Sequence, residues 1–188
     1  EAKKFLLSLG GDHAISIGPI LAASEIWPDM GVLQVDAHLD LRDKWNGSRY
    51  NHACVMRRVL EAGVRPVVSV APRAVSKEEH EAVAAYGLKP FYAHRIDPGD
   101  DAWIGDVLRA LPEKVYLTVD LDGLDPSEMP GTGTPEPGGL SYRQLVRMIQ
   151  ALGREKQVVA ADVIVIPRSC SCAIQSMTAA PSCTSPIL

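Results

Sequence analysis

The 188-residue chain has no apolar run long enough to cross a bilayer. Its longest, such as 32–35 and 115–119, fall far short of the roughly 20 residues a spanning helix needs. The first seven residues, EAKKFLL, lack the longer apolar core and small-residue cleavage site of a signal peptide. The expectation is therefore a cytoplasmic protein without a membrane partner. Basic residues are not in excess: 19 Lys and Arg face 23 Asp and Glu, for a net charge of −4, and no block of bases stands out. Nucleic acid is excluded as the main partner on that ground. Cysteine is sparse, and Cys170, Cys172 and Cys183 crowd the C-terminal end far from Cys54. That is no disulfide framework, and Cys170 and Cys172 lack the matching pair a zinc site needs. No internal repeat occurs.

Short apolar runs that end in polar or acidic residues are present instead. Runs at 5–9, 31–35, 66–70, 115–119 and 158–161 are apolar on both faces, which suits strands of a buried parallel sheet. Between them, 53–62, 76–86, 102–111 and 141–152 have helical spacing, with Ser76 and Ser141 as caps and Gly153 as a stop. The alternation predicts a three-layer α/β domain, with a mainly parallel sheet and helices on both faces. The Pro- and Gly-rich stretch 125–139 reads as a long functional loop.

Sites in such sheets form at the carboxyl ends of strands, and that is where the acids cluster. Asp36, His38 and Asp40 alternate after one run, which on a strand would aim all three to one side. Asp120 and Asp122 repeat the spacing after another, and His13 follows the Gly10-Gly11 turn. A lone strand-end Asp is usually a cap and a lone His usually a satisfied polar residue. Three clusters together change the reading. Four carboxylates crowded at one rim would repel one another, and two divalent cations neutralise them. Hard oxygen donors with some imidazole suit Mn²⁺ best, with Fe²⁺, Co²⁺ or Zn²⁺ as alternatives. Two such ions sharing a bridging water would make hydroxide available near neutral pH, which predicts hydrolysis.

The stretches LGGDH (9–13), DAHLD (36–40) and TVDLD (118–122), the last running on as GLDPSEMPG, resemble the three metal-binding motifs of the ureohydrolase family. That family includes arginases, agmatinases, guanidinobutyrases and formimidoylglutamases. The resemblance implies an arginase/deacetylase-like fold and two Mn²⁺ ions. His13 and Asp40 would serve one metal, His38 and Asp122 the other, and Asp36 and Asp120 would bridge. It implies an orienting role for Asp12, and a catalytic role for Asp40 and for His52 as proton shuttle to the departing amine. The stretch DKWNGSRYNH (43–52) is similar to the agmatinase loop, so Trp45, Arg49 and Tyr50 are expected at the substrate entrance. The implied reaction is hydrolysis of agmatine to putrescine and urea by metal-bridging hydroxide. The implied partners are a small guanidino substrate and further copies in a trimer or hexamer.

The sequence also departs from the family. Residues 1–164 are expected to form a partial catalytic domain lacking an N-terminal part, and 165–188 an atypical, poorly ordered tail rich in Ser, Cys, Thr and Pro. Where the family carries a Glu that binds the guanidinium, this chain has Val165. Three alternatives follow: a guanidinobutyrase-type or other amidinohydrolase, an inactive truncated metal-binding homologue, and a single-zinc deacetylase. The donor inventory argues against the last.

Overall fold

The computed structural model describes residues 4–165; the expected tail, apart from Val165, lies outside the described residues. One all-parallel sheet runs in the order β1-β5-β4-β2-β3. Its strands are β1 (Leu6–Gly10), β2 (Gly31–Val35), β3 (Val67–Val70), β4 (Lys114–Asp120) and β5 (Gln157–Ile164). The connecting helices are α1 (Ile17–Ile26), α2 (Val55–Glu61), α3 (Lys77–Tyr86), α4 (Ala102–Ala110) and α5 (Tyr142–Glu155). None among the described residues is long and apolar enough to cross a membrane.

Two cores flank the sheet. On one face, Val107 and Leu108 of α4 and Leu145, Met148 and Leu152 of α5 pack with Leu33, Val35, Leu117 and Val119. On the other, Ile17 and Ile20 of α1 and Val55, Met56 and Val59 of α2 pack with Val32, Tyr116 and Ala160. This is the expected three-layer arrangement. Each fully buried side chain of Leu or Met size contributes about 1.5–3 kcal/mol.

Local chemistry sets the helix ends. Ser76 and Glu79 form a reciprocal cap at the start of α3, and Ser141 and Gln144 do the same for α5. Gly87, at φ 65°, closes α3 in the left-handed conformation that glycine adopts without strain. Gly153 is not the stop that the sequence suggested. Helix α5 continues to Glu155 because Leu152 is buried and its carbonyl holds the Lys156 N–H, which outweighs a propensity cost of about 1 kcal/mol. Helix α1 was not expected from the sequence: Gly18 and Pro19 disguise it, although proline is tolerated in a first helical turn. Strand β1 also differs from its expected burial. Leu6, Leu7 and Leu9 are 51%, 55% and 75% exposed, because β1 is an edge strand hydrogen-bonded to β5 alone among the described residues.

The loop 125–139 is clasped at its root. Asp125 accepts hydrogen bonds from Ser127 N and Oγ and from Gly138 N and Gly139 N, and these bonds hold its carboxyl down at about 2. Arg73, just beyond β3, donates to the carbonyls of Ala71, Asp122, Gly123, Leu124, Glu136 and Pro137. One guanidinium thereby ties this loop to the end of β4. Arg73→Lys keeps the charge and loses the planar fork. It is expected to lower stability by about 2 kcal/mol, the scale of one or two charged hydrogen bonds, with faster proteolysis within 125–139. An unchanged urea midpoint would refute the clasp.

Candidate metal centre

Three chain segments meet at the carboxyl rim of the sheet. After β1, the Asp12 side chain accepts from Ala14 N at 2.8 Å and caps a short 3₁₀ turn, His13–Ser16, that buries His13. After β2, Asp36 accepts from His38 N at 2.7 Å through Oδ1 and from Gln34 Nε2 at 2.9 Å through Oδ2. Asp40 follows at φ 54°, a left-handed conformation that Asp tolerates better than most residues. After β4, Asp122 N donates to Asp120, while the Asp122 carboxylate accepts from Ala37 N at 3.0 Å and Thr134 Oγ1 at 2.8 Å. A Cβ on Gly123 would stand 2.9 Å from Asp36 N, so only glycine lets these two segments touch.

Alternation predicted all of these residues on strands; Asp120 ends one, but Asp36, His38, Asp40 and Asp122 lie beyond them. Strand β2 ends at Val35 and β4 at Asp120. The side chains converge through tight turns, in which each leading Asp caps the N–H two residues on.

All six expected ligands gather there. His13 Nδ1 lies 3.1 Å from Asp36 Oδ2, 3.0 Å from Asp40 Oδ2 and 3.7 Å from Asp120 Oδ2. His38 Nδ1 lies 3.4 Å from Asp36 Oδ1 and 3.1 Å from Asp122 Oδ2. Two compact triads result, His13–Asp36–Asp40 and Asp36–His38–Asp122, and they share Asp36. Asp120 lines the same cavity but stands outside both triads.

Without cations the cluster is electrostatically awkward. Burial, reinforced by the Asp36 charge, pushes Asp40 up to about 6. Burial and the charges of Asp36 and Asp122 raise Asp120 well above the carboxylate range. Burial alone would lower His38, but Asp122 and Asp36 overcome it and carry the imidazole up to about 11. Burial opposes ionisation of Asp36 as well, and the two imidazoles hold it below its ordinary range. His13 Nδ1 and Asp40 Oδ2 are both buried and, despite their proximity, have no hydrogen-bond partner. Orphaned nitrogen and oxygen donors beside further carboxylates fit divalent cations.

A cleft of about 390 Å³ opens over the cluster, walled further by Arg42, Trp45, His52, Glu79, Thr134 and Glu136. Trp45 lies under the Arg42 guanidinium, 4.2 Å from ring centroid to Cζ. His52 Nδ1 is 3.5 Å from Asp12 Oδ2. The expected entrance residues divide. Trp45 lines the cleft; Arg49 and Tyr50 do not. Arg49 is held instead by Glu61 at 2.9 Å and Asp43 at 3.3 Å, and Tyr50 is 73% exposed. Glu79 reads only as a first-turn acid of a helix, while Thr134 and Glu136 lie in a stretch, 133–139, that is similar to agmatinases.

A family model described as the Arginase family matches residues 1–181. The chain belongs to the arginase family. It is 41% identical over 166 residues to N(1)-aminopropylagmatine ureohydrolase of Synechocystis sp., covering 87% of this chain and 54% of that protein. It is 37% identical over 156 residues to the agmatinase of Pyrococcus horikoshii, covering 83% and 52%. Agmatine ureohydrolase of Thermoplasma volcanium superposes with a TM-score of 0.76 at 33% identity, over 93% of this chain and 61% of that one. The chain thus spans about half the length of the curated relatives it matches. Arginase-family enzymes are binuclear metal enzymes, and the two triads are groups in this member that could hold metal.

Proposed function

We propose that this arginase-family protein hydrolyses a linear guanidino compound, agmatine in the first instance, releasing urea and putrescine. The observation that carries the reading is the pair of triads sharing Asp36 at the floor of an open acidic cleft. Two Mn²⁺ ions would be held by His13 and Asp40 on one side and His38 and Asp122 on the other, with Asp36 and Asp120 between. Bound there, they would supply Lewis acidity and an activated water. The chain's own residues do the rest. The carboxylates make the cleft attractive to a guanidinium. His52 lines the cleft with Asp12 3.5 Å from its Nδ1, which supports a role in passing a proton to the leaving amine. Trp45 offers an apolar wall to the methylene chain. Residues 1–164 carry this catalytic part, and the reading extends to a cytoplasmic trimer or hexamer.

A longer substrate, N1-aminopropylagmatine, is favoured by the names of relatives 41–43% identical to the chain. The deciding experiment titrates the purified chain with Mn²⁺ and follows urea release from agmatine and aminopropylagmatine. Two ions bound per chain and Mn²⁺-dependent urea are expected. Absence of bound metal would overturn the proposal.

A pH dependence follows. The raised folded-state value of Asp40, about 6, means that metal-free stability falls as pH climbs from about 4 to 6. The raised value of His38, about 11, gives stability that is complete below about 6.5 and lost on the way up to it. Cations displace those protons, so they stabilise more at higher pH. The Tm increase on adding Mn²⁺ should be larger at pH 8 than at pH 5; a pH-independent increase contradicts the assignment.

A further inference from the structure

His13 meets the cluster with one nitrogen only. The other, Nε2, lies 2.8 Å from Thr118 Oγ1, in the interior. Thr118 donates its hydroxyl hydrogen to Asp162 Oδ1 at 2.5 Å, and the Tyr116 hydroxyl donates to Asp162 Oδ2 at 2.8 Å. Thr118 and Asp162 are direct neighbours across β4 and β5, and Tyr116, Thr118 and Asp162 are all fully buried.

With Asp162 ionised and the ring neutral, as a metal-bound imidazole must be, the hydrogen count along this chain has one solution. A carboxylate accepts and has no hydrogen to give, so the single hydroxyl hydrogen of Thr118 is committed to Asp162. Thr118 then offers only lone pairs to the imidazole, and Nε2 must carry the ring hydrogen. In that neutral form Nδ1 is a lone pair facing Asp36 Oδ2 at 3.1 Å and Asp40 Oδ2 at 3.0 Å, where a cation would sit. We propose that the buried Asp162–Thr118 pair is a positioning device that fixes which nitrogen of His13 carries the hydrogen, and so presents Nδ1 as a ligand for a divalent cation. The inference rests on the dinuclear reading above and adds residues outside the metal-binding motifs' acids and histidines. It also gives β5, which supplies no ligand, a part in the centre.

Removing the carboxylate should reverse the arrangement. In Asp162→Ala the freed Thr118 hydrogen can turn toward Nε2, which drives the ring hydrogen onto Nδ1 and blocks it as a ligand. Mn²⁺ titration of Asp162→Ala is expected to show one tight ion in place of two, or a 10–100-fold weaker first site, the usual scale for losing a ligand's supporting hydrogen bond. Thr118→Val should weaken the same site, and Thr118→Ser, which keeps the hydroxyl, should restore it. This pair decides the matter if Asp162→Ala fails to fold. Nitrogen NMR of ¹⁵N-histidine protein loaded with Zn²⁺ should show the wild-type hydrogen on Nε2 of His13. Wild-type affinity in both Asp162→Ala and Thr118→Val, or a hydrogen on Nδ1, overturns the proposal. If the wild type binds no metal, the dinuclear reading fails. The NMR reading is then taken on metal-free protein at a pH where the ring is neutral; hydrogen on Nε2 upholds the relay and hydrogen on Nδ1 ends it.

Discussion

Asp36→Asn is expected to empty both triads at once and to reduce urea release by about 10³-fold or more, the upper range for removing a buried group that stabilises developing charge. Asp36 is the residue common to the two triads, with Oδ2 toward His13 and Oδ1 toward His38. The amide is no disguise for the acid here. Oδ1 already accepts from His38 N, and Oδ2 from Gln34 Nε2. Whichever oxygen becomes an NH₂ group, two donors face each other in a buried place, at a cost of about 1–3 kcal/mol. Asp40→Asn and Asp122→Asn each belong to one triad and should each cost one ion. Metal content per chain, measured beside urea release, separates the three variants. An Asp36→Asn protein that retains two ions would refute the shared role.

The clustered acids were legible in the sequence because their chemistry is local. A Gly-Gly turn before His13, and acids spaced by two at the ends of apolar runs, survive being read as a string. What was misread is how they converge: strand alternation picked out side chains that do gather at one rim, although 36, 38, 40 and 122 lie beyond the strands. The supporting residues were not legible, because they depend on register. Thr118 and Asp162 are 44 residues apart and meet only because β5 lies beside β4. Arg73 gathers carbonyls from three segments, and no spacing rule announces a guanidinium that binds backbone. Arg49 and Tyr50 were placed by likeness to a loop; carboxylates at 43 and 61 draw Arg49 away. The sheet and its two helical layers followed from the alternation of runs, while the exposure of β1 followed from strand order, which the string does not carry.

Val165→Glu is expected to raise kcat/KM for agmatine by about 10–100-fold. Val165 directly follows β5 at the same carboxyl rim as the cluster, half-buried, with its N–H donated to Gly10 O at 3.0 Å. The resemblance to ureohydrolases implies a Glu at this position, facing the guanidinium. A charge-assisted contact of that kind contributes about 1.5–3 kcal/mol, and 1.4 kcal/mol is a factor of ten. Valine offers a guanidinium no charged contact, and poor orientation lowers turnover as well as affinity. Metal content should not change, because Val165 belongs to neither triad. Val165→Gln is the control: it matches the shape of Glu without the charge and should recover only a small part of the gain. The comparison also separates a weak enzyme from an inactive homologue. A wild type that binds two ions yet releases no urea, with activity appearing in Val165→Glu, places the defect at the substrate contact. Two bound ions and no gain in Val165→Glu would show that the guanidinium is held elsewhere.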